Sequence, residues 1–229
     1  KEVYLDFAMY AVVVSIIGAR IYYVVFSWDD YKDDIIQVFN LRAGGLAIYG
    51  GVIGGIITAI VYTKIKKMKF TLLADTACVG LLTGQIIGRW GNFFNREAFG
   101  DYTNNLFAMR LSTYDVNQNA ITKKMLEMAE EGNYVGFIQV HPTFLYESVW
   151  NLILLICILL YTKHKKFDGE LFLMYMGGYG LGRAFIEGLR TDQLTLGSTG
   201  IAVSQVLAFA LFVTSLGMII YKRVTLKKK

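Results

Sequence analysis

An all-α polytopic membrane protein is predicted by this sequence on three observations. Of its 229 residues, 55% are hydrophobic and one is proline. The mean hydropathy is +0.43, too high for a soluble domain of this length. The polar residues are gathered into short runs between apolar stretches long enough to cross roughly 30 Å of hydrocarbon. Residues 1-229 read as a single integral membrane domain of six transmembrane helices, with 101-140 inserted as a small extracytoplasmic head. The chain begins at Lys1 with no methionine or signal-peptide pattern, which predicts residues upstream of this numbering.

The six expected spans are Leu5 to Phe26, Leu46 to Tyr62, Leu72 to Ile87, Thr143 to Thr162, Leu171 to Leu189 and Ile201 to Tyr221. The first contains Arg20, read as structurally paired. The second opens on Gly44-Gly45-Leu46 and carries two overlapping GxxxG pairs, Gly50 with Gly54 and Gly51 with Gly55, a pattern that lets helices approach closely. Tyr49 at its outer end has two readings, a belt aromatic or a hydrogen-bonding group aimed into a cavity. The fourth begins at His141-Pro142, with proline at the first helical position; capping and catalysis are both open for that segment, which continues to Tyr146 and Glu147.

Charge sets the topology. Lys64, Lys66, Lys67 and Lys69 follow span two, Lys163, Lys165 and Lys166 follow span four, and Lys222, Arg223, Lys227, Lys228 and Lys229 follow span six; these hold 12 of the 23 basic residues. By the positive-inside rule they face the cytoplasm. A pI near 9.0 therefore reports orientation and not nucleic acid, since the cations form no continuous face. The other connections face outward: Ser27 to Ala43 with Asp29, Asp30, Asp33 and Asp34, the head with an amphipathic helix at Thr122 to Glu131, and Arg190 to Gly200. His164 reads as a solvated member of its lysine cluster. Cys78 and Cys157 lie inside apolar runs and read as small buried hydrophobes.

Two polar clusters stand out at the outer ends of spans three and five. Arg89 lies in Gly88-Arg89-Trp90-Gly91-Asn92-Phe93-Phe94-Asn95-Arg96-Glu97-Ala98-Phe99-Gly100. A guanidinium at the hydrocarbon boundary costs about 2.5 to 3.5 kcal/mol on the mildest scale, so a carboxylate or an anionic ligand must compensate it. Gly88 and Gly91 leave room beside Arg89, Asn92 and Asn95 add amide donors, and Glu97 is placed to orient Arg89 or to exchange protons. In span five, Tyr179, Arg183, Glu187 and Arg190 fall within about 80° of arc at 100° per residue. An Arg183–Glu187 ion pair can satisfy itself there, but it leaves Arg89 unexplained. Two guanidiniums on converging helices suit a lipid phosphate, whose oxygens match the planar fork of arginine.

In order and along nearly the whole chain, these motifs resemble those of the prolipoprotein diacylglyceryl transferase family: Gly44 through Gly51, Gly88 through Gly100, His141-Pro142-Thr143 with Leu145-Tyr146-Glu147, and Tyr179 through Arg190. The resemblance implies seven spans, the first lying upstream and carrying a tyrosine of the family's site. It implies transfer of the diacylglyceryl unit of phosphatidylglycerol to the lipobox cysteine thiol of a prolipoprotein signal peptide, in the bacterial inner membrane, at the extracytoplasmic leaflet. No cofactor is implied, and no metal, since His141 with Glu147 lacks a third ligand. The expected catalytic residues are Arg89, Arg183, Glu187, Tyr49 and Glu97; the expected substrate-binding residues are Arg89, Asn92, Asn95, Gly100, Tyr179, Arg190 and His141. Tyr49 departs from the histidine that many members carry there. The arginines are then expected to favour the thiolate, with Tyr49 relaying the proton to Glu97 or Glu187.

A transporter would place its polar groups along a path between pseudo-repeated halves, whereas no repeat is visible and the polar residues crowd one surface. A lipid-dependent scaffold would leave both arginine clusters without a role.

Overall fold

The structure is a computed structural model that describes residues 2–191, 193 and 202–227. Among the described residues it is built from α1 (Glu2–Phe26), α2 (Ile48–Ile65), α3 (Phe70–Asn95), β1 (Met109–Ser112), α4 (Lys123–Glu131), β2 (Phe137–Val140), α5 (Thr143–Tyr161), α6 (Glu170–Glu187) and α7 (Val203–Lys227). Five of these helices, α1, α2, α3, α5 and α7, are long and apolar enough to cross a membrane. With its all-helical framework, the protein is a multi-pass membrane protein.

The six expected spans all appear as helices, with corrected ends. The α3 helix does not stop at Ile87 but runs to Asn95, so Arg89 and Asn92 lie on one helical face beyond the expected end of the span. The α6 helix stops at Glu187 with Gly188 as its C-cap, so Arg190 has left the helix. With Glu170, Arg183 and Glu187 among its 18 residues, α6 is the one expected span that is not among the five. Pro142 is the N-cap of α5 and not its first helical residue. Cys78 is buried as expected, but Cys157 is exposed on α5. Of the expected outward segment Arg190 to Gly200, only residues 190, 191 and 193 are described; Ile201, Lys228 and Lys229 also lie outside the described residues.

The chain divides into two compact units, Lys1–Ala74 and Asp75–Lys229. In the first, α1 and α2 run antiparallel, as Tyr62 Oη donates to the Val3 carbonyl at one end (2.7 Å) and Ala47 N to the Ala19 carbonyl at the other (3.1 Å). Glycine makes this approach possible. A Cβ on Gly50 would collide with the Gly18 carbonyl, and one on Gly54 would lie 2.8 Å from the Val14 carbonyl. Gly51 has no such neighbour inside 3.6 Å and Gly55 meets only the Ser15 hydroxyl at 3.3 Å, so the Gly50–Gly54 pair carries the close backbone contact. Arg20, 6% exposed, is paired with backbone: Nε donates to the Val38 carbonyl (2.7 Å), and its terminal nitrogens to those of Gln37, Gly44 and Gly45 (2.6, 2.9 and 2.9 Å). With the Asn40 carbonyl at 3.3 Å, five carbonyl dipoles thereby solvate a charge that hydrocarbon would not tolerate.

In the second unit, Cys78 and Leu82 of α3, Ile158 of α5, and Leu171 and Tyr175 of α6 form a common core. The α6 helix is wedged between its neighbours by glycines. A Cβ at Gly180 would meet the Ala208 carbonyl of α7 at 2.6 Å, and one at Gly178 the Leu154 side chain of α5 at 2.5 Å. The base of the unit is an ionic clamp. Asp75, 3% exposed, accepts from the backbone N–H of Gly169 (2.8 Å) and Phe172 (3.0 Å) and pairs with Lys165 (3.1 Å). It thus caps the N-terminus of α6 from another helix. Glu170 is fully buried and holds Arg223 of α7 at 2.7 Å.

Between α3 and α5 the chain forms a small layer with its own core of Phe99, Leu111, Val116, Met125, Ile138 and Val140. Strands β1 and β2 pair antiparallel, Met109 opposite Val140 and Ser112 opposite Phe137. Helix α4 is capped by Thr122, whose hydroxyl accepts from Met125 N, one residue inside the expected start.

Candidate functional site

Three segments distant in sequence are laced together above α3, α5 and α6. After Asn95 the backbone turns through left-handed Arg96 and Ala98 (φ 55° and 56°) and enters the layer at Phe99. Gly100 N donates to the His141 carbonyl, Asp101 N to the Leu189 carbonyl, and His141 N to the Asp101 carbonyl, all at 3.0 Å. Gly100 also pairs with Arg190 as an isolated bridge. Only glycine fits there, because a Cβ would lie 2.7 Å from the Leu189 carbonyl and 2.8 Å from His141 Cβ. The Thr143 hydroxyl donates to the Ala98 carbonyl and closes the lacing.

This scaffold aligns a row of alternating charges. Arg89 Nε of α3 lies 2.9 Å from Glu147 Oε2 of α5, and Arg183 Nη1 of α6 lies 2.8 Å from Glu147 Oε1. The other nitrogen of Arg183, Nη2, lies 2.6 Å from Glu187 Oε2. Ser204 Oγ donates to Glu187 Oε1 (2.6 Å), and Arg190 Nη1 is 3.9 Å from Glu187. The carboxylate side chains are only 5% and 6% exposed. Glu147 Oε2 and Glu187 Oε2 have close ion contacts but no aligned hydrogen bond, so charge, not directional bonding, holds these two contacts.

The expected residues fall as follows. Arg89 donates through Nη1 to Asn92 Oδ1 (3.2 Å), and the amides of Asn92 and Asn95 donate to Glu97 Oε1 (3.0 and 3.2 Å). Among the described residues Glu97 accepts from the two amides, and it reaches Arg89 through Asn92 in place of the direct contact expected. A Cβ on Gly88 or Gly91 would meet nothing within 4 Å among the described residues, so the space foreseen beside Arg89 is present. Tyr179 stacks on Tyr175 at 6.0 Å, one turn below Arg183. His141 Nδ1 is 3.2 Å from Tyr146 Oη. Burial pulls the His141 pKa below its usual value, with Asp101 opposing and Lys124 adding to the drop. Tyr49 belongs to the first unit, where it is 64% exposed with its ring 6.2 Å from that of Tyr22.

The residue that sequence reasoning undervalued is Glu147. Its signal was present, a carboxylate one turn inside an apolar span, since such a charge requires a cationic partner. Ser204 gave no comparable signal.

A family model described as prolipoprotein diacylglyceryl transferase matches residues 1–221. The chain belongs to that family. Among similar proteins, one from Listeria innocua, named phosphatidylglycerol--prolipoprotein diacylglyceryl transferase, is 44% identical over 226 residues, covering 98% of this chain and 76% of the relative. Proteins of the same name from Bacillus cytotoxicus and Clostridioides difficile are 43% and 46% identical, over 98% and 84% of this chain and 78% and 68% of theirs. This family member is thus similar to enzymes over nearly its full length, and the laced motifs are those on which the resemblance rests.

Proposed function

We propose that the protein transfers the diacylglyceryl unit of phosphatidylglycerol to the thiol of a prolipoprotein lipobox cysteine, the first step of lipoprotein maturation. The observation that carries this reading is the convergence of Arg89 and Arg183, from two different helices, on the single carboxylate of Glu147. Two guanidiniums brought to one carboxylate by different helices suit an added anion such as a phosphodiester headgroup. Loading the headgroup would exchange the Arg89 contact to Glu147 for one to phosphate.

The chemistry follows from the charge change. A thiolate attacks the glycerol methylene carbon that carries the phosphate; a C–S bond forms, the C–O bond breaks, and the electron pair leaves on oxygen. The departing glycerol phosphate becomes a monoester and gains negative charge, which Arg89 and Arg183 stabilise more strongly than they do the diester. The same guanidiniums favour the thiolate over the thiol, whose ordinary pKa near 8.5 leaves only a few per cent ionised at neutral pH. Glu147 and Glu187 hold the arginines in place, and Asn92, Asn95, Glu97 and Gly100 shape the headgroup side. Tyr179, Arg190 and His141 complete the binding surface. The proton-relay role of Tyr49 rests on its place in the motif, where many members of the family carry histidine.

The site faces the extracytoplasmic leaflet of the bacterial inner membrane in this reading, with residues 101-140 as the extracytoplasmic head. Support comes from the second unit itself, where Lys165 and Arg223 lie at the end of α6 opposite Arg183 and Glu187, matching cytoplasmic cations. The test is incubation of the purified protein in phosphatidylglycerol vesicles with a lipobox peptide. The expected result is a diacylglyceryl mass increment on the cysteine and an equal amount of glycerol phosphate. Absence of both products, with the protein folded, overturns the proposal.

A further inference from the structure

The layer between α3 and α5 displays a pair of large apolar side chains that the described residues leave mostly exposed. Leu106 is 91% exposed and Phe107 60% exposed. They form the tip of a turn that is held rigidly. The Asn105 carbonyl accepts from Ala108 N (3.0 Å), Asn105 Oδ1 accepts from Phe107 N (3.1 Å), and Thr103 Oγ1 accepts from Asn105 N (3.3 Å). Gln139 of β2 donates to the Thr103 carbonyl at 2.9 Å. An ordered turn that displays leucine and phenylalanine to water gains nothing from their exposure.

The height of this turn is fixed by one hydrogen bond. Asn105 Nδ2 donates to Tyr146 Oη at 2.9 Å, and Tyr146 lies in the first turn of α5. The membrane-crossing segment Thr143–His164 has 22 residues, about 33 Å at 1.5 Å per residue, close to the roughly 30 Å of hydrocarbon. Tyr146 therefore sits near the edge of the hydrocarbon, with its hydroxyl directed to the headgroup level that tyrosine favours. Tied to that hydroxyl, the 105–108 turn lies at the same level and not out in bulk water.

We infer that the Asn105–Ala108 turn is an interfacial anchor that seats Leu106 and Phe107 in the headgroup–acyl boundary beside the site, with the lipid bilayer as its partner. The anchor is coupled to the site through Tyr146, which also contacts His141 Nδ1 at 3.2 Å. It rests on α5 crossing the membrane and not on the transferase reading.

The test compares two positions in the same layer. Tyr114, 90% exposed, follows the Ser112 end of β1, three residues along the ladder from the Met109–Val140 pair beside α5, or about 10 Å. Phe107→Cys and Tyr114→Cys are reconstituted into vesicles and treated with a membrane-impermeant maleimide. Background is low because Cys78 is buried and Cys157 lies within a span. A thiol at the lipid boundary is less ionised and less accessible, so position 107 should react at least about tenfold more slowly than position 114. Leu106→Cys, which should behave as Phe107→Cys does, provides the second variant if the first folds poorly. Equal rates at 106 or 107 and at 114 overturn the inference. So does protection that requires an added lipobox peptide, which would make the turn a peptide-docking surface.

Discussion

Replacing Glu147 with glutamine removes the charge that, among the described residues, Arg89 and Arg183 share, with little change of volume. Taking two guanidiniums on opposite oxygens of one carboxylate as about 6 Å apart, an effective dielectric near 20 gives a repulsion of about 3 kcal/mol once the bridge is neutral. Arg183 keeps Glu187 at 2.6 Å, whereas Arg89 keeps only the neutral oxygen of Asn92 at 3.2 Å among its described contacts. The loss should therefore fall on Arg89. If about 3 kcal/mol of positioning is lost from the transition state, kcat/KM falls by roughly 100-fold, since 1.4 kcal/mol is tenfold. Removing one partner of a buried pair costs about 3 to 5 kcal/mol of stability at full burial; with the arginine side chains 21% and 18% exposed, about 1 to 3 kcal/mol is expected after solvent screening. The assay is lipobox-peptide lipidation in phosphatidylglycerol vesicles, paired with thermal unfolding in detergent. Glu147→Asp, which keeps the charge, should recover part of the rate. A Glu147→Gln protein within twofold of the parent rate and with an unchanged unfolding midpoint would refute the bridging argument.

Other outcomes follow from single contacts. Arg183→Lys keeps the charge but not the fork that spans Glu147 and Glu187, so lipidation should fall by about 10²-fold or more, as for loss of one oxyanion donor; near-parental turnover would show that a point charge suffices. Gly50→Ala should lower the thermal midpoint measurably, while Gly51→Ala should change it little, because only the first Cβ meets the Gly18 backbone. For His141 the folded pKa lies below the unfolded value near 6.5. The unfolded chain then takes up the proton first, and this contribution to stability, full above pH 6.5, declines as pH falls below it. Unfolding of the parent and of His141→Gln between pH 7.5 and 5 should show the parent losing more stability on acidification.

The helical class and the number of hydrophobic stretches were legible because the bilayer imposes a length that single sequences obey. Helix ends were less legible. Glycine and asparagine after Ile87 look like punctuation, yet Arg89 is satisfied by a residue 58 positions away, so the helix continues where local signals would end it. Arg183 and Glu187 were visible at i, i+4 spacing, but spacing within one helix says nothing of a carboxylate supplied by another. The trans-helix capping of α6 by Asp75 was invisible for the same reason. Arg20 was read correctly as structural, although nothing local shows that its partners are carbonyl groups.

The glycine-tight seating of α6 gives the two arginines unequal freedom. With its backbone pressed against α7 at Gly180, Leu154 of α5 filling the notch at Gly178, and its lower end fastened by Asp75 and Arg223, α6 is a fixed jaw that carries Arg183. The upper half of α3, where Gly84, Gly88 and Gly91 leave open space among the described residues, has room to shift. A two-tailed lipid gripped between them would displace Arg89 and leave Arg183 where it stands, so structural change on loading should be read on α3.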